Sequence, residues 1–490
     1  ASKPGVALVT AGPGATNAVT GTAQAYSSAC PVVIITGSVP LSSKKEIFHG
    51  VDDPDFLHKI FSPITKLSVR VERPEDMPEI LADAFSTALS GRPGPVHVEI
   101  DDLTLKARVE SAAPYRPMPR HSPGLDPAIA ERILELLRRA KRPVIVAGKG
   151  VLAASAQEEL AQAAEILAAP VIFPYDAIGV MGYHRRWCAG AISTPMGVNP
   201  FCVKLMRDSD LLLGIGLRPD AWNLEVILRN APPKIVFIGF DDEQIRQEGA
   251  MVSCVADARL ALQEIIRRLA PQRGAPDEAI LAQIAANKQD MLQAFQSAME
   301  PYREKTPLHF GLALEVLSRH LTPDTIVIGD VGSNSVWATA YLSRLGPHKF
   351  LGPGLWAAMG FTIPAAIGAK VACPEHAVVG ITGDGAFLLS SADFATAVQH
   401  RLDIVYVVLH DGRHGMVEML QHRDYGRAYG TEISPPDFVK YAESFGAMGI
   451  RVERTSELGE AFRQAFRAEG PVVVDVICEP GVPYVSPPNR

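Results

Sequence analysis

The sequence predicts an α/β protein of three doubly wound parallel-sheet domains, and three observations carry that prediction. Short β-branched runs alternate with helix-like stretches along the chain, many of those runs are apolar throughout, and two proline-rich, weakly periodic segments divide them. A strand buried on both faces has no polar side to show, so continuous apolar runs point to parallel sheets covered by helices. The 490 residues leave room for roughly three domains of about 150 residues each.

In order, the runs are VALVT, PVVIITG and PVHVEI, then RPVIVAGKG, PVIFPYD, DLLLGIG and KIVFIGF, then TIVIGD, AVVGITGDG, DIVYVVLHD and PVVVDVI. The segments SAAPYRPMPRHSPGLD and APQRGAPD read as linkers. They give domains over residues 1–110, 125–270 and 305–485. GPVHVEI and GPVVVDV share a Gly-Pro-Val opening and an acid in the same place, so the first and third domains are candidates for two versions of one fold.

Composition excludes several classes. No apolar segment approaches the ~18 residues of a membrane helix. The net charge of −7 is mild and no basic tract is present, so nucleic acid is not an expected partner. Small molecules and other protein chains are. Six scattered cysteines without a C-x-x-C fit reduced thiols in a cytoplasm better than a disulfide framework or a zinc site.

Chemistry concentrates in GITGDGAF, where an apolar run ends in Gly-Asp-Gly-Ala. Ser390-x-x-Asp393 then resembles a capping box opening a helix over SADFATAVQH. In a parallel sheet such a turn lies at the carboxyl ends of the strands, where ligands bind and free N–H groups suit a phosphate. An isolated GDG is more often a surface turn. The next run, however, ends at Asp411, one strand-helix-strand unit downstream, so Asp384 and Asp411 should face each other. A hard cation such as Mg²⁺ would take both carboxylates, a backbone carbonyl, phosphate oxygens and water. Gly412 would allow a turn that directs the carbonyl of Arg413 inward.

From these residues the resemblance becomes specific. GDG with a second turn at this spacing is the signature of thiamine diphosphate enzymes, and GPGLWAAMGFTIPAAIGAKVACPEHAVVGITGDGAF, DVGSNSVWA and HGMVEMLQHRDYG resemble the diphosphate-binding domain of the acetolactate synthase group. KPGVALVTAGPGATNAVTGTAQAY, VPLSSKKEIFHG and SGRPGPVHVEI resemble that group's pyrimidine-binding domain; the central domain matches more loosely. The resemblance implies that Asp384 and Asp411 hold the metal by side chain and Arg413 by its carbonyl. It places Gly332, Ser333, Asn334, Gly385 and Ala386 around the diphosphate. Ala357 would accept from the 4′-amino group, Met359 would prop the cofactor into its bent form, and Met416 would pack on it. The implied reaction is decarboxylation of a 2-keto acid such as pyruvate with transfer of the two-carbon unit, in a homodimer or homotetramer. Rival readings are a simple 2-keto acid decarboxylase, an acyl-transferring relative, and a cofactor-binding paralogue without turnover.

Departures from the pattern are informative. Asp411 and His410 stand where the group usually has Asn. Leu420 replaces a Trp of the acceptor channel, and Trp222 replaces an Arg near the substrate, which removes a bidentate carboxylate partner. Phe48 and His49 stand where the group has Phe-Gln beside the cofactor; His49 could relay protons or only hydrogen-bond. His410 receives no role beyond capping its strand. The group's activating Glu would fall before Ala1, so the chain is expected to be an N-terminally truncated form. In the central domain, Gly148-x-Gly150-x-x-Ala153 resembles a dinucleotide fingerprint, but no acid follows at the expected distance and strand-to-helix packing is the favoured reading. FAD is left possible but unsupported.

Overall fold

A computed structural model of the chain describes residues 3–39, 49–110, 114–116, 122–194, 197–217, 221–240, 250–270, 277–345 and 349–480. Strands β1 (Gly5–Val9), β2 (Val32–Ser38), β3 (Ser68–Val71) and β4 (Pro95–Asp101) form a first sheet in the order β1-β2-β4-β3. A second sheet holds β5 (Pro143–Ala147), β6 (Val171–Phe173), β7 (Cys188–Ala191), β10 (Leu211–Ile215), β11 (Ile235–Gly239) and β12 (Val252–Val255), with a small antiparallel hairpin, β8 (Ser193–Thr194) and β9 (Gly197–Val198), beside it. Its order is β12-β11-β10-β5-β6-β7. The third contains β13 (Ile326–Gly329), β14 (Lys349–Leu351), β15 (Val378–Gly383), β16 (Ile404–His410), β17 (Met448–Val452) and β18 (Val472–Ile477), in the order β14-β13-β15-β16-β18-β17. All strand pairs in these three sheets are parallel.

Each apolar run named from the sequence is one of these strands. Within the three parallel sheets, those that went unread, β3, β7, β12, β14 and β17, are all at sheet edges, and each has five residues or fewer. An edge strand pairs on one side only and needs no long apolar run. Core continuity also differs between domains. A single apolar cluster runs from Ile145 and Leu213 of the second sheet to Val327 and Val474 of the third. The first sheet has its own smaller core around Val33, Val71, Val96 and Val98, and Val6 and Leu8 of β1 are exposed.

The internal echo extends well beyond its seven residues. The order β1-β2-β4-β3 recurs as β15-β16-β18-β17. Glu99 on β4 sits in register with Arg70 on β3, and Asp475 on β18 with Arg451 on β17; both arginines donate to their acids. Gly-Pro-Gly-Ala after β1 and Gly-Asp-Gly-Ala after β15 both open a helix, Pro13–Asn17 and Asp384–Leu389. Pro13 therefore occupies the place of Asp384, and this corner of the third sheet alone of the two carries the acid.

One expected device differs. The helix after β15 begins at Asp384 itself, and Ser390 makes no side-chain cap: its hydroxyl is buried without a partner, and a 3₁₀ turn Ser391–Asp393 precedes the helix Phe394–Gln399. Ser390 instead ends the helix Asp384–Leu389, and the 3₁₀ turn leads directly into the next helix, whose N-cap is Asp393. No helix of the described residues is long and apolar enough to cross a membrane.

The Gly148-x-Gly150 turn is closed by backbone. Gly148 and Gly150 donate their amides to the carbonyls of Ile215 and Gly216, at 2.9 and 2.8 Å. A Cβ at Gly148 would lie 2.3 Å from the Gly216 oxygen, and one at Gly150 2.5 Å from the Gly216 Cα. These amides serve a crossing of two chain turns and are not offered to a dinucleotide phosphate. Gly148→Ala should therefore cost about 1–3 kcal/mol, as overpacking does, seen as a fall of several degrees in the unfolding midpoint. Gly368→Ala, with nothing within 4 Å of its Cβ in the helix Thr362–Ala372, should leave that midpoint unchanged or raise it.

Candidate active site

The site is assembled at the carboxyl ends of β13, β15 and β16 by two buried aspartates. Asp330, directly after β13, accepts from the amides of Val331 (2.8 Å), Gly360 (2.9 Å) and Thr362 (3.0 Å) and from the Thr382 hydroxyl (3.3 Å). One carboxylate thus joins the end of β13, the loop through Met359 and the end of β15. Such charge-assisted bonds are stronger than neutral ones and fix geometry. The sequence quoted Asp330 only within DVGSNSVWA; its burial behind a short strand is the signal that could have marked it.

Asp384 does the same one strand further along. Its Oδ1 accepts from Gly385 N at 2.7 Å and its Oδ2 from Gly412 N at 2.6 Å, so the turn after β15 is tied to the turn after β16. Asp384 is buried, and burial raises its carboxyl above the ordinary range against the pull of the two amides. Burial also pushes Asp411 up to about 7, and the charge of Asp384 adds to the effect. A cation between two desolvated carboxylates that repel each other would relieve that repulsion and favour their charged forms. Among the described residues no cluster of three or more His, Cys, Asp and Glu side chains is placed to hold a metal. A cation here would rely on the two acids plus other oxygens.

His410, unassigned from sequence, sits between acids. Its Nδ1 lies 2.9 Å from Asp475 Oδ1 and its Nε2 4.0 Å from Asp384 Oδ2, with the ring edge-on to Phe438. Burial opposes its protonation, but the hydrogen bond and charge of Asp475, with Asp384 behind, raise its pKa above the usual value. It orients on β18 and does more than cap its strand.

Several other expected residues converge here. Asn334 is buried at the start of the helix Ser333–Leu345; its Oδ1 has no partner, and a Cβ at Gly383 would lie 2.7 Å from its Nδ2. A Cβ at Gly415 would meet Asp411 Oδ2 at 3.2 Å and Ser333 Oγ at 3.4 Å. Gly385 and Ala386 lie in the first turn of their helix, and Gly332 has φ of 120°. The orphaned Asn334 oxygen and the glycine-lined approach fit a bound diphosphate and its cation. Arg413 sends its guanidinium to Glu418 (2.5 Å) and Glu432 (3.0 Å), so its charge is engaged away from the acid pair. Ala357 is held at φ of 54°, a strained value for a residue with a Cβ, in the loop that carries half-exposed Met359. Ala357, Gly332 and Met416 together line one cavity.

His49 has φ of 65° and its carbonyl packs on Gly12 of the first domain. Phe48 lies outside the described residues, as does the side chain of Trp222, while Leu420 is partly exposed on the helix Gly415–Tyr425.

Domain comparisons agree with the architecture. The models described as thiamine pyrophosphate enzyme N-terminal TPP binding domain, central domain and C-terminal TPP binding domain match residues 1–59, 130–265 and 330–476. Three domains in that order, with the described sheets, define a thiamine diphosphate-dependent enzyme. A probable acetolactate synthase large subunit of Methanocaldococcus jannaschii is 32% identical over 516 residues, covering 99% of this chain and 83% of that protein. The acetolactate synthase isozyme 3 large subunit of Escherichia coli is 30% identical over 511 residues, covering 99% and 85%. The acetolactate synthase large subunit of Corynebacterium glutamicum is 31% identical, covering 96% and 76%. The chain belongs to the thiamine pyrophosphate enzyme family, on its acetolactate synthase-like side.

The raised Asp411 predicts a pH effect in cofactor-free, metal-free protein. Between the ordinary carboxyl value of 3.8 and about 7, the folded state keeps a proton that the unfolded chain has lost, so stability falls as pH rises through that window and levels off above it. Asp411→Asn should flatten this slope in unfolding midpoints measured from pH 4 to 8. An unchanged slope would contradict the placement of Asp411.

Proposed function

We propose that the chain catalyses thiamine diphosphate- and Mg²⁺-dependent decarboxylation of a 2-keto acid and transfers the resulting acyl unit to an acceptor. The observation that carries the reading is the pair of acids, buried Asp384 and partly buried Asp411, at neighbouring strand ends, with the Asn334 oxygen unpartnered beside them. In this reading Asp384 and Asp411 hold the metal by side chain and Arg413 by its carbonyl. Gly332, Ser333, Asn334, Gly385 and Ala386 hold the diphosphate, aided by the N-terminal amides of the helices Ser333–Leu345 and Asp384–Leu389. When bound, the cofactor supplies the electron sink that decarboxylation of a 2-keto acid needs.

The protein's own work is positional. Ala357 would accept from the cofactor's 4′-amino group through its carbonyl, and Met359 and Met416 would pack against the cofactor and exclude water. His49 serves the reaction from the first domain by hydrogen bond or proton relay. The resemblance to the acetolactate synthase group supports a homodimer or homotetramer in which a second copy completes the site. Exposed Trp356, Leu389 and Val417, at 49%, 65% and 47% on the segments carrying the site, are the apolar surface such a copy would cover. Free thiols at all six cysteines fit a cytoplasmic enzyme. The carboligase reading stands above simple decarboxylation because every curated relative named above is an acetolactate synthase.

Titration calorimetry with thiamine diphosphate and Mg²⁺ tests this. Wild type should bind with Mg²⁺ dependence, and Asp384→Ala should weaken binding more than tenfold; equal binding by both would refute the metal assignment. Product analysis over a panel of 2-keto acids then identifies donor and acceptor.

A further inference from the structure

A cavity of 820 Å³ lies where the three domains meet. Its walls are mostly apolar: Leu152 and Ala153 from the helix Lys149–Ala153, Ile178, and Val336, Phe350 and Leu355 from the third domain. That is toward the upper end of the ~300–1,000 Å³ range of small-molecule sites. One side is formed by Gly332, Ala357 and Met416, the residues assigned above to the cofactor. The space beyond them far exceeds a three-carbon acid.

The polar end is confined to a few side chains. Lys149 Nζ lies 3.9 Å from Asp176 Oδ2, outside hydrogen-bond distance, with side chains only 18% and 5% exposed. A Cβ at Gly354 would meet that Nζ at 2.6 Å and Ser28 Oγ at 3.2 Å, so the ammonium leans on the loop that leads to Ala357. Gln24 donates from Nε2 to Ser28 Oγ at 2.8 Å and to the Pro353 carbonyl, which leaves its Oε1 buried without a partner. Gln24 is 8% exposed and lines the cavity. An ammonium with the Asp176 carboxylate 3.9 Å away thus stands at one end of a space whose walls are mostly apolar, with the buried Gln24 amide behind it.

The dinucleotide-like motif gains its meaning here. Gly148 and Gly150 close a backbone crossing, and Lys149 and Ala153 between and after them project one cation and one small side chain toward the cavity. The geometry points to a pocket for an acceptor bulkier than pyruvate: a carboxylic acid with an aryl or long branched body. Its carboxylate pairs with Lys149, and its body packs on Leu152, Phe350 and Leu355. Lys149 then supplies the cation that Trp222 at its own position does not. This rests on the reading that Gly332, Ala357 and Met416 face the cofactor.

Binding to the full chain without cofactor tests it, with 3-phenylpyruvate and pyruvate as calorimetric probes. The pocket predicts at least tenfold tighter binding of 3-phenylpyruvate. Ala153→Phe, which fills the cavity, should remove that preference; Lys149→Met should weaken 3-phenylpyruvate at least tenfold, and Lys149→Arg should recover most of the loss. Lys149→Met also strips buried Asp176 of its cation, so if that variant does not fold, Ala153→Phe decides. Equal binding of the two probes, or 3-phenylpyruvate binding untouched by Ala153→Phe, overturns the proposal. So does purified protein that carries FAD and loses it in Ala153→Phe. Binding of thiamine diphosphate with Mg²⁺ is measured on the same samples: its failure in wild type sinks the functional reading, whereas its presence beside a failed probe preference sinks the pocket alone.

Discussion

The carboxylate of Asp330 is the constraint on which the active-site corner depends. Buried at the end of β13, it gathers donors from its own turn, from Gly360 and Thr362, and from Thr382 on β15. Without that knot, the loop bearing Ala357 and Met359 would have no fixed position relative to the GDG turn. Asp384 then repeats the device between β15 and β16, through Gly385 and Gly412. Short backbone amides held by acids are a rigid way to place a ligand site on parallel strand ends.

Much of the fold was legible because its central strands are apolar on both faces. β2, β5, β10, β15, β16 and β18 announce themselves as continuous runs. The edge strands did not. SVRV and MGIRV carry an arginine at the position that reaches the neighbouring acid, and CAGA and KFL are too short for periodicity to speak. The same edges hold the strongest sign of duplication, since Arg70 with Glu99 and Arg451 with Asp475 occupy equivalent registers. An ion pair to a fully buried acid, as at Glu99 and Asp475, is weak as stabilisation and strong as a register pin.

Of the site, the sequence showed the residues whose spacing is chemical and missed those whose role is geometric. Asp384 and Asp411 were visible because one strand-helix-strand unit separates them. Asp330, Gln24 and Lys149 were not, because their partners lie in other segments or other domains. His410 also had no reading until Asp475, far away in sequence, was seen beside it. The capping box at Ser390 was expected from a local pattern, but Ser390 ends one helix and a 3₁₀ turn, rather than a cap, leads into the next.

The central claim is that Asp384 and Asp411 are two ligands of one divalent cation completed by a diphosphate. Anomalous diffraction from crystals grown with thiamine diphosphate and Mn²⁺ in place of Mg²⁺ tests it most directly. The account predicts one strong peak between the two carboxylates, about 2 Å from an oxygen of each, with the Arg413 carbonyl and diphosphate oxygens filling the sphere. A peak elsewhere, or a diphosphate bound at this corner with no cation between the acids, would contradict it.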